Sequence, residues 1–88
     1  MKIKEGFLLR EIAGSWVVVP VGNRVVEFNG LLTLSESGAL LWRLMEKGTE
    51  KDALVGLLLK EYDIDSTTAE ADVEEFISLV SEKGLFER

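Results

Sequence analysis

The chain has 88 residues, 47% of them apolar, with no cysteine, no histidine and a formal net charge of −6. That is enough for one domain around a single core and too apolar for disorder. The missing residue types exclude disulfides, thiolate or imidazole metal sites and the commonest general base.

No apolar run reaches the roughly 20 residues that span a bilayer. Met1-Lys2-Ile3-Lys4-Glu5-Gly6 lacks the apolar stretch of a signal peptide. These features predict a single cytoplasmic domain over residues 1–88 with no membrane partner and no cofactor of its own. The charge is unevenly placed: residues 1–34 carry a net +1 and residues 35–88 a net −7. An acidic surface serves solubility, or it attracts a basic partner. Nucleic acid, whose binders neutralise phosphates, is disfavoured.

Phe7-Leu8-Leu9-Arg10-Glu11-Ile12 reads as a first strand, stopped by Ala13-Gly14-Ser15. Trp16-Val17-Val18-Val19-Pro20-Val21 reads as a second, with Pro20 near its end because proline cannot donate to a ladder. Gly22-Asn23 suits a two-residue hairpin turn. Arg24-Val25-Val26-Glu27-Phe28 then reads as a third strand, with Val26 and Phe28 on one face and Val25 and Glu27 on the other. Leu31-Leu32-Thr33-Leu34 is expected to cross in extended form to the first helix.

That helix starts at Ser35, a good N-cap, and carries Leu40, Leu41, Leu44 and Met45 at helical spacing, with Trp42 offset. Gly48 is its stop. Thr49-Glu50-Lys51-Asp52 resembles a capping box, and the apolar Leu54, Val55, Leu57, Leu58 and Leu59 predict a second helix buried on more than one side. The last helix begins near Ser66 or Thr67, with Thr67-Thr68-Ala69-Glu70 offering another box. Ala69, Val73, Phe76, Ile77 and Val80 form its apolar stripe, and Gly84 ends it. Leu79 falls off that stripe, beside Asp72, Glu75, Phe76 and Lys83. Leu85-Phe86 is expected to fold back on the core. The fold class is therefore α+β, a three-stranded antiparallel sheet followed by a three-helix bundle.

No catalytic constellation emerges. The serines have no histidine to activate them, the carboxylates Glu70, Asp72, Glu74 and Glu75 lack a matching helix, and no glycine run has phosphate-binding spacing. The expectation is a non-enzyme. A winged-helix DNA reader is weakened by Asp72, Glu74 and Glu75 on the last helix, where groove contacts call for basic or amide side chains. An open strand edge that accepts an extended peptide remains. Its bland counterpart is an ordinary edge protected by Arg24 and Glu27, and the residues alone leave the two readings even.

Val26-Glu27-Phe28-Asn29-Gly30-Leu31-Leu32-Thr33-Leu34-Ser35-Glu36-Ser37-Gly38-Ala39-Leu40-Leu41-Trp42 resembles the strand, turn and helix opening of the PqqD family. These are small proteins of pyrroloquinoline quinone biosynthesis, within the wider group of RiPP recognition elements. Asp72-Val73-Glu74-Glu75-Phe76-Ile77, continued by Lys83-Gly84-Leu85, is similar to the family's close. The resemblance implies a winged helix-turn-helix-like fold that binds the leader of a ribosomally made precursor peptide. The leader would pair beside the third strand and pack on the third helix of the bundle, for presentation to a modifying enzyme such as a radical S-adenosylmethionine protein.

Carried over by position, the peptide-binding residues are Arg24, Val25, Val26, Glu27 and Phe28 on the strand and Asp72, Phe76, Leu79 and Lys83 on the helix. The resemblance also gives Leu79 a reason to leave the apolar stripe: it lines the groove. Gly38 and Trp42 are assigned to the fold. The enzyme's cofactors would belong to the enzyme, since this chain has no cysteine to hold a cluster. A homodimer or scaffold module using the same edge is the alternative from another class.

Overall fold

The computed structural model describes residues 1–27 and 32–87. In chain order it has β1 (Phe7–Ile12), β2 (Ser15–Pro20), α1 (Arg24–Glu27), β3 (Leu32–Leu34), α2 (Glu36–Lys47), α3 (Lys51–Glu61) and α4 (Ser66–Glu82). The sheet has the order β1-β2-β3 and is antiparallel throughout. With the three longer helices after it, this is the α+β, winged helix-turn-helix-like class expected. Among the described residues no helix is long and apolar enough to cross a membrane.

The β1–β2 hairpin follows from its turn. Ala13 and Gly14 both adopt positive φ, 52° and 81°, the backbone a tight hairpin needs to match strand twist. Pro20 is the last residue of β2, where its missing N–H costs no interior ladder bond.

The third strand is not where the β-type run Arg24-Val25-Val26-Glu27-Phe28 predicts it. Arg24–Glu27 forms a short helix, and Phe28 lies outside the described residues. The turn at Gly22, with φ 59°, does not return the chain along β2. Instead the Arg24 N–H donates to the Val21 carbonyl at 3.2 Å and the Val25 N–H to the Gly22 carbonyl at 3.3 Å, which coil the backbone. The place beside β2 is taken by β3, where Trp16 pairs with Leu34, Val17 with Thr33 and Val18 with Leu32. Leu32 and Leu34 are buried and Thr33 between them is exposed, the in–out alternation of a strand covered on one face. Leu32-Thr33-Leu34 is thus a paired strand and not merely an extended crossing.

The core is built around Trp42 and Met45 on α2, Leu54 and Leu58 on α3, and Val73 and Val80 on α4, with Val18 from the sheet; each is at most 1% exposed. Fully burying one such side chain is worth about 1.5–3 kcal/mol. Trp42 therefore lies at the centre of α2's inner face, while Leu40 and Leu44 are half-buried. On α3 only Leu54 and Leu58 are buried, and Leu59 is 41% exposed. Val55 and Leu57, between Leu54 and Leu58 in sequence, are half-buried against the core, so α3 packs on both α2 and α4 and Leu59 is the leucine it leaves to solvent.

Capping divides similarly. Ser35 accepts from the Gly38 N–H at 3.1 Å, and Gly48, φ 92°, ends α2 with its N–H on the Met45 carbonyl. The expected box at Thr49 does not form; the N-cap of α3 is Glu50, without a side-chain bond. For α4 the cap is Asp65, which accepts from the Thr68 N–H at 2.8 Å. Beyond it, Leu85 is 1% exposed and Phe86 bridges Ile3, so the chain end folds back as predicted.

Candidate functional site: the groove between β3 and α4

In the sheet order β3 is an edge strand. Among the described residues nothing pairs with its outer side, so main-chain donors and acceptors there are open to a further strand. Beside that edge runs a groove of about 490 Å³. One wall is Thr33, Leu34 and the start of α2 at Ser35, Ser37, Gly38 and Leu41; the other is one side of α4, from Asp72 through Glu75, Phe76, Ser78 and Leu79 to Glu82.

The groove's depth depends on Gly38. A Cβ added there would lie 3.2 Å from Cε1 of Phe76 and 3.3 Å from Oγ of Ser35, tighter than ordinary van der Waals contact. The absent side chain lets the first turn of α2 sit against Phe76. Ser35 belongs to the same corner, capping α2 and lying 3.2 Å from the Ser37 hydroxyl. Phe76 is 8% exposed and closes the floor. Leu79 is half-buried, touching the core with one side and the groove with the other.

The residues expected to form the peptide site separate into two groups. Asp72, Phe76 and Leu79 come together on the groove wall. Lys83 is the exposed C-cap residue of α4 and is not among the lining residues. Arg24 is half-buried, and its Nε donates to the Glu5 carbonyl at 2.9 Å, which ties α1 to the N-terminal segment. Val25 is 58% exposed on α1. Val26 and Glu27 belong to α1, and Phe28 lies outside the described residues.

Reasoning from sequence missed the strand side of the groove, Thr33 and Leu34 with Ser35 and Ser37, because the edge was sought a few residues too early. Ser78, read only as a surface or cap serine, and Glu82 were also left out of the site. A signal for Glu82 was available: Asp72, Glu75, Leu79 and Glu82 fall at i, i+3, i+7 and i+10, a single helix stripe.

Three groups at or near α4 have shifted acidity. The Thr68 backbone N–H holds the Asp65 carboxyl below the usual carboxylate range, as suits an acid at a helix N-terminus. Lys51 on α3 is paired with Glu74 on α4, which raises its pKa. Tyr62 is also raised, by burial and then by the nearby Glu36 and Glu61. Among the described residues no group of three or more metal-ligating side chains is gathered. An open strand edge, an apolar floor and polar rims suit an extended peptide, with main-chain bonds for affinity and side-chain contacts for choice.

Comparison with solved structures gives the same architecture. A chain described as "TbiB1 in Complex with the TbiA(beta) Leader Peptide" is 25% identical and superposes with a TM-score of 0.76, covering 99% of this chain and 95% of that one. A second, "Lasso peptide synthetase B1 complexed with the leader peptide", is 18% identical with a TM-score of 0.73 over 96% of this chain and 93% of that one, a likeness of fold. No curated protein sequence matches the chain. The family model for coenzyme PQQ synthesis protein D (PqqD) matches residues 15–85. That span runs from the start of β2 to the buried Leu85 and includes both walls of the groove, and the chain belongs to the PqqD family.

Proposed function

We propose that this chain is a peptide chaperone: it binds the leader of a ribosomally made precursor peptide and presents it to a modifying enzyme, with a radical S-adenosylmethionine protein as one candidate class. The observation that carries this is the open edge of β3 sharing one groove with α4. Family membership and the leader complex of the TbiB1 structure support it. The leader adds a strand outside β3 and rests its side chains on Phe76 and Leu79, with Asp72 at the rim. The domain itself performs no chemistry; the enzyme brings the reactive groups.

In this proposal the pairing role expected of residues 24–28 passes to Leu32–Leu34. Among the described side chains of the earlier set, Val25 is the exposed apolar one able to touch a longer leader.

Amide-shift titration of the labelled chain tests the reading, using synthetic leaders taken from short open reading frames beside the gene. The expected result is binding in the micromolar range or tighter, with shifts concentrated at residues 33–38 and 72–82. Leu79→Asp should weaken that binding by about tenfold or more, since a buried anchor at an interface centre carries a large share of affinity. Shifts confined to α1 would move the site to residues 24–27. Self-association on sedimentation, with no response to any leader, would favour the homodimer that uses the same edge. DNA binding is disfavoured by Asp72, Glu74 and Glu75, all exposed on α4.

A further inference from the structure

The groove has a charge of one sign. Three of its lining residues are carboxylates (Asp72, Glu75 and Glu82), and among the described residues none of the lining is basic. All three are exposed, and no ion pair among the described residues neutralises them; the pair on α4 joins Lys51 to Glu74. A surface acidic only for solubility has no need to place an apolar patch between its carboxylates, yet Phe76 and Leu79 lie between Glu75 and Glu82 along the wall.

The spacing adds a pattern. At a rise of about 1.5 Å per residue, the stripe from Asp72 to Glu82 runs about 15 Å, the length of four to five residues of strand at about 3.3 Å each. Alternate side chains of a strand share a face at intervals of about 6.6 Å. An extended peptide lying along the stripe therefore sets three successive same-face side chains opposite, in turn, the Asp72 and Glu75 pair, the Phe76 and Leu79 surface, and Glu82.

Resting on the leader-binding reading above, we infer that the preferred leader segment is cationic: an apolar residue flanked two positions away on each side by lysine or arginine. Complementary charge guides encounter and sets register, while the β3 edge and the apolar floor hold the bound strand.

Three synthetic peptides of equal length test this with the full chain. They share a threonine–leucine–threonine centre and differ only in the flanking residues: lysine, glutamine or glutamate. Affinity is read by fluorescence anisotropy at low and high salt, and the contact site by amide shifts. The lysine peptide should bind about tenfold more tightly than the glutamate peptide at low salt. Added salt should shrink the difference, because exposed pairs are screened. Asp72→Asn, Glu75→Gln and Glu82→Gln should each reduce the lysine peptide's affinity by about threefold, in the range of exposed ion pairs, with thermal stability unchanged. Equal affinities for all three, with shifts at Thr33 and Leu79, would overturn the charge preference and leave the groove reading standing, as would preference for glutamate. Absence of shifts at Thr33 and Leu79 with every peptide would overturn both.

Discussion

Arg24–Glu27 and Leu32–Leu34 lie a few residues apart, and both are rich in residues that sheets accept. One coils into a turn of helix and the other completes the sheet. The difference shows in the side chains described for each. Leu32 and Leu34 point to one side and are each 6% exposed, with Thr33 outward. Within the first stretch, Arg24 is bound to the Glu5 carbonyl and Val25 stays 58% exposed. A strand next to β2 is selected by its inward face more than by β-branching, a preference of modest size and strong context dependence. The strand that wins becomes the edge beside α4, so this competition also decides which main-chain groups the sheet leaves open.

The comparison is most severely tested by truncating one residue from each stretch. Leu34→Ala should cost about 3 kcal/mol, as for other buried leucines, whereas Val25→Ala should stay within about 0.5 kcal/mol. Urea denaturation of the two variants measures both. Comparable losses would mean that α1 packs as tightly as β3. A smaller effect is expected at the junction of β3 and α2. Ser35→Ala removes the acceptor for the Gly38 N–H and should cost about 1 kcal/mol, by the same measurement.

The smallest effect sharpens the other wall of the groove. The Asp65 carboxyl is held below its ordinary value by the Thr68 N–H. Its contribution is therefore present at pH above the unfolded carboxyl's range and is lost as pH falls through the lowered folded value. Thermal melts across that acidic window should show Asp65→Asn losing less stability on acidification than the parent chain.

Several features were legible because they are local. Ser35 followed by Glu36 marks a cap, Gly48 a stop, and Ala69, Val73, Phe76 and Val80 a stripe that the fold buries. Leu79 stood out as an apolar residue off the stripe, and it reaches the groove. What escaped were choices made between distant parts. Nothing inside Arg24-Val25-Val26-Glu27 announces that Leu32-Thr33-Leu34 offers β2 a better inward face. The leucines of α3 do not reveal that Leu59 is the one left in solvent while Leu57 packs on the core. The groove itself required knowing which strand borders α4, and Gly38 shows its meaning only with Phe76 in place.

The first and last residues of the described chain are stitched together. Ile3 bridges Phe86, the Lys4 N–H donates to the Leu85 carbonyl at 2.8 Å, and the Glu87 N–H donates to the Lys2 carbonyl at 2.7 Å. A tether attached at either end therefore departs from the same corner of the molecule. A second domain joined through that corner would be held to this one at an effective concentration set by linker length and stiffness. Swapping the tether from one end to the other would leave its point of departure nearly unchanged.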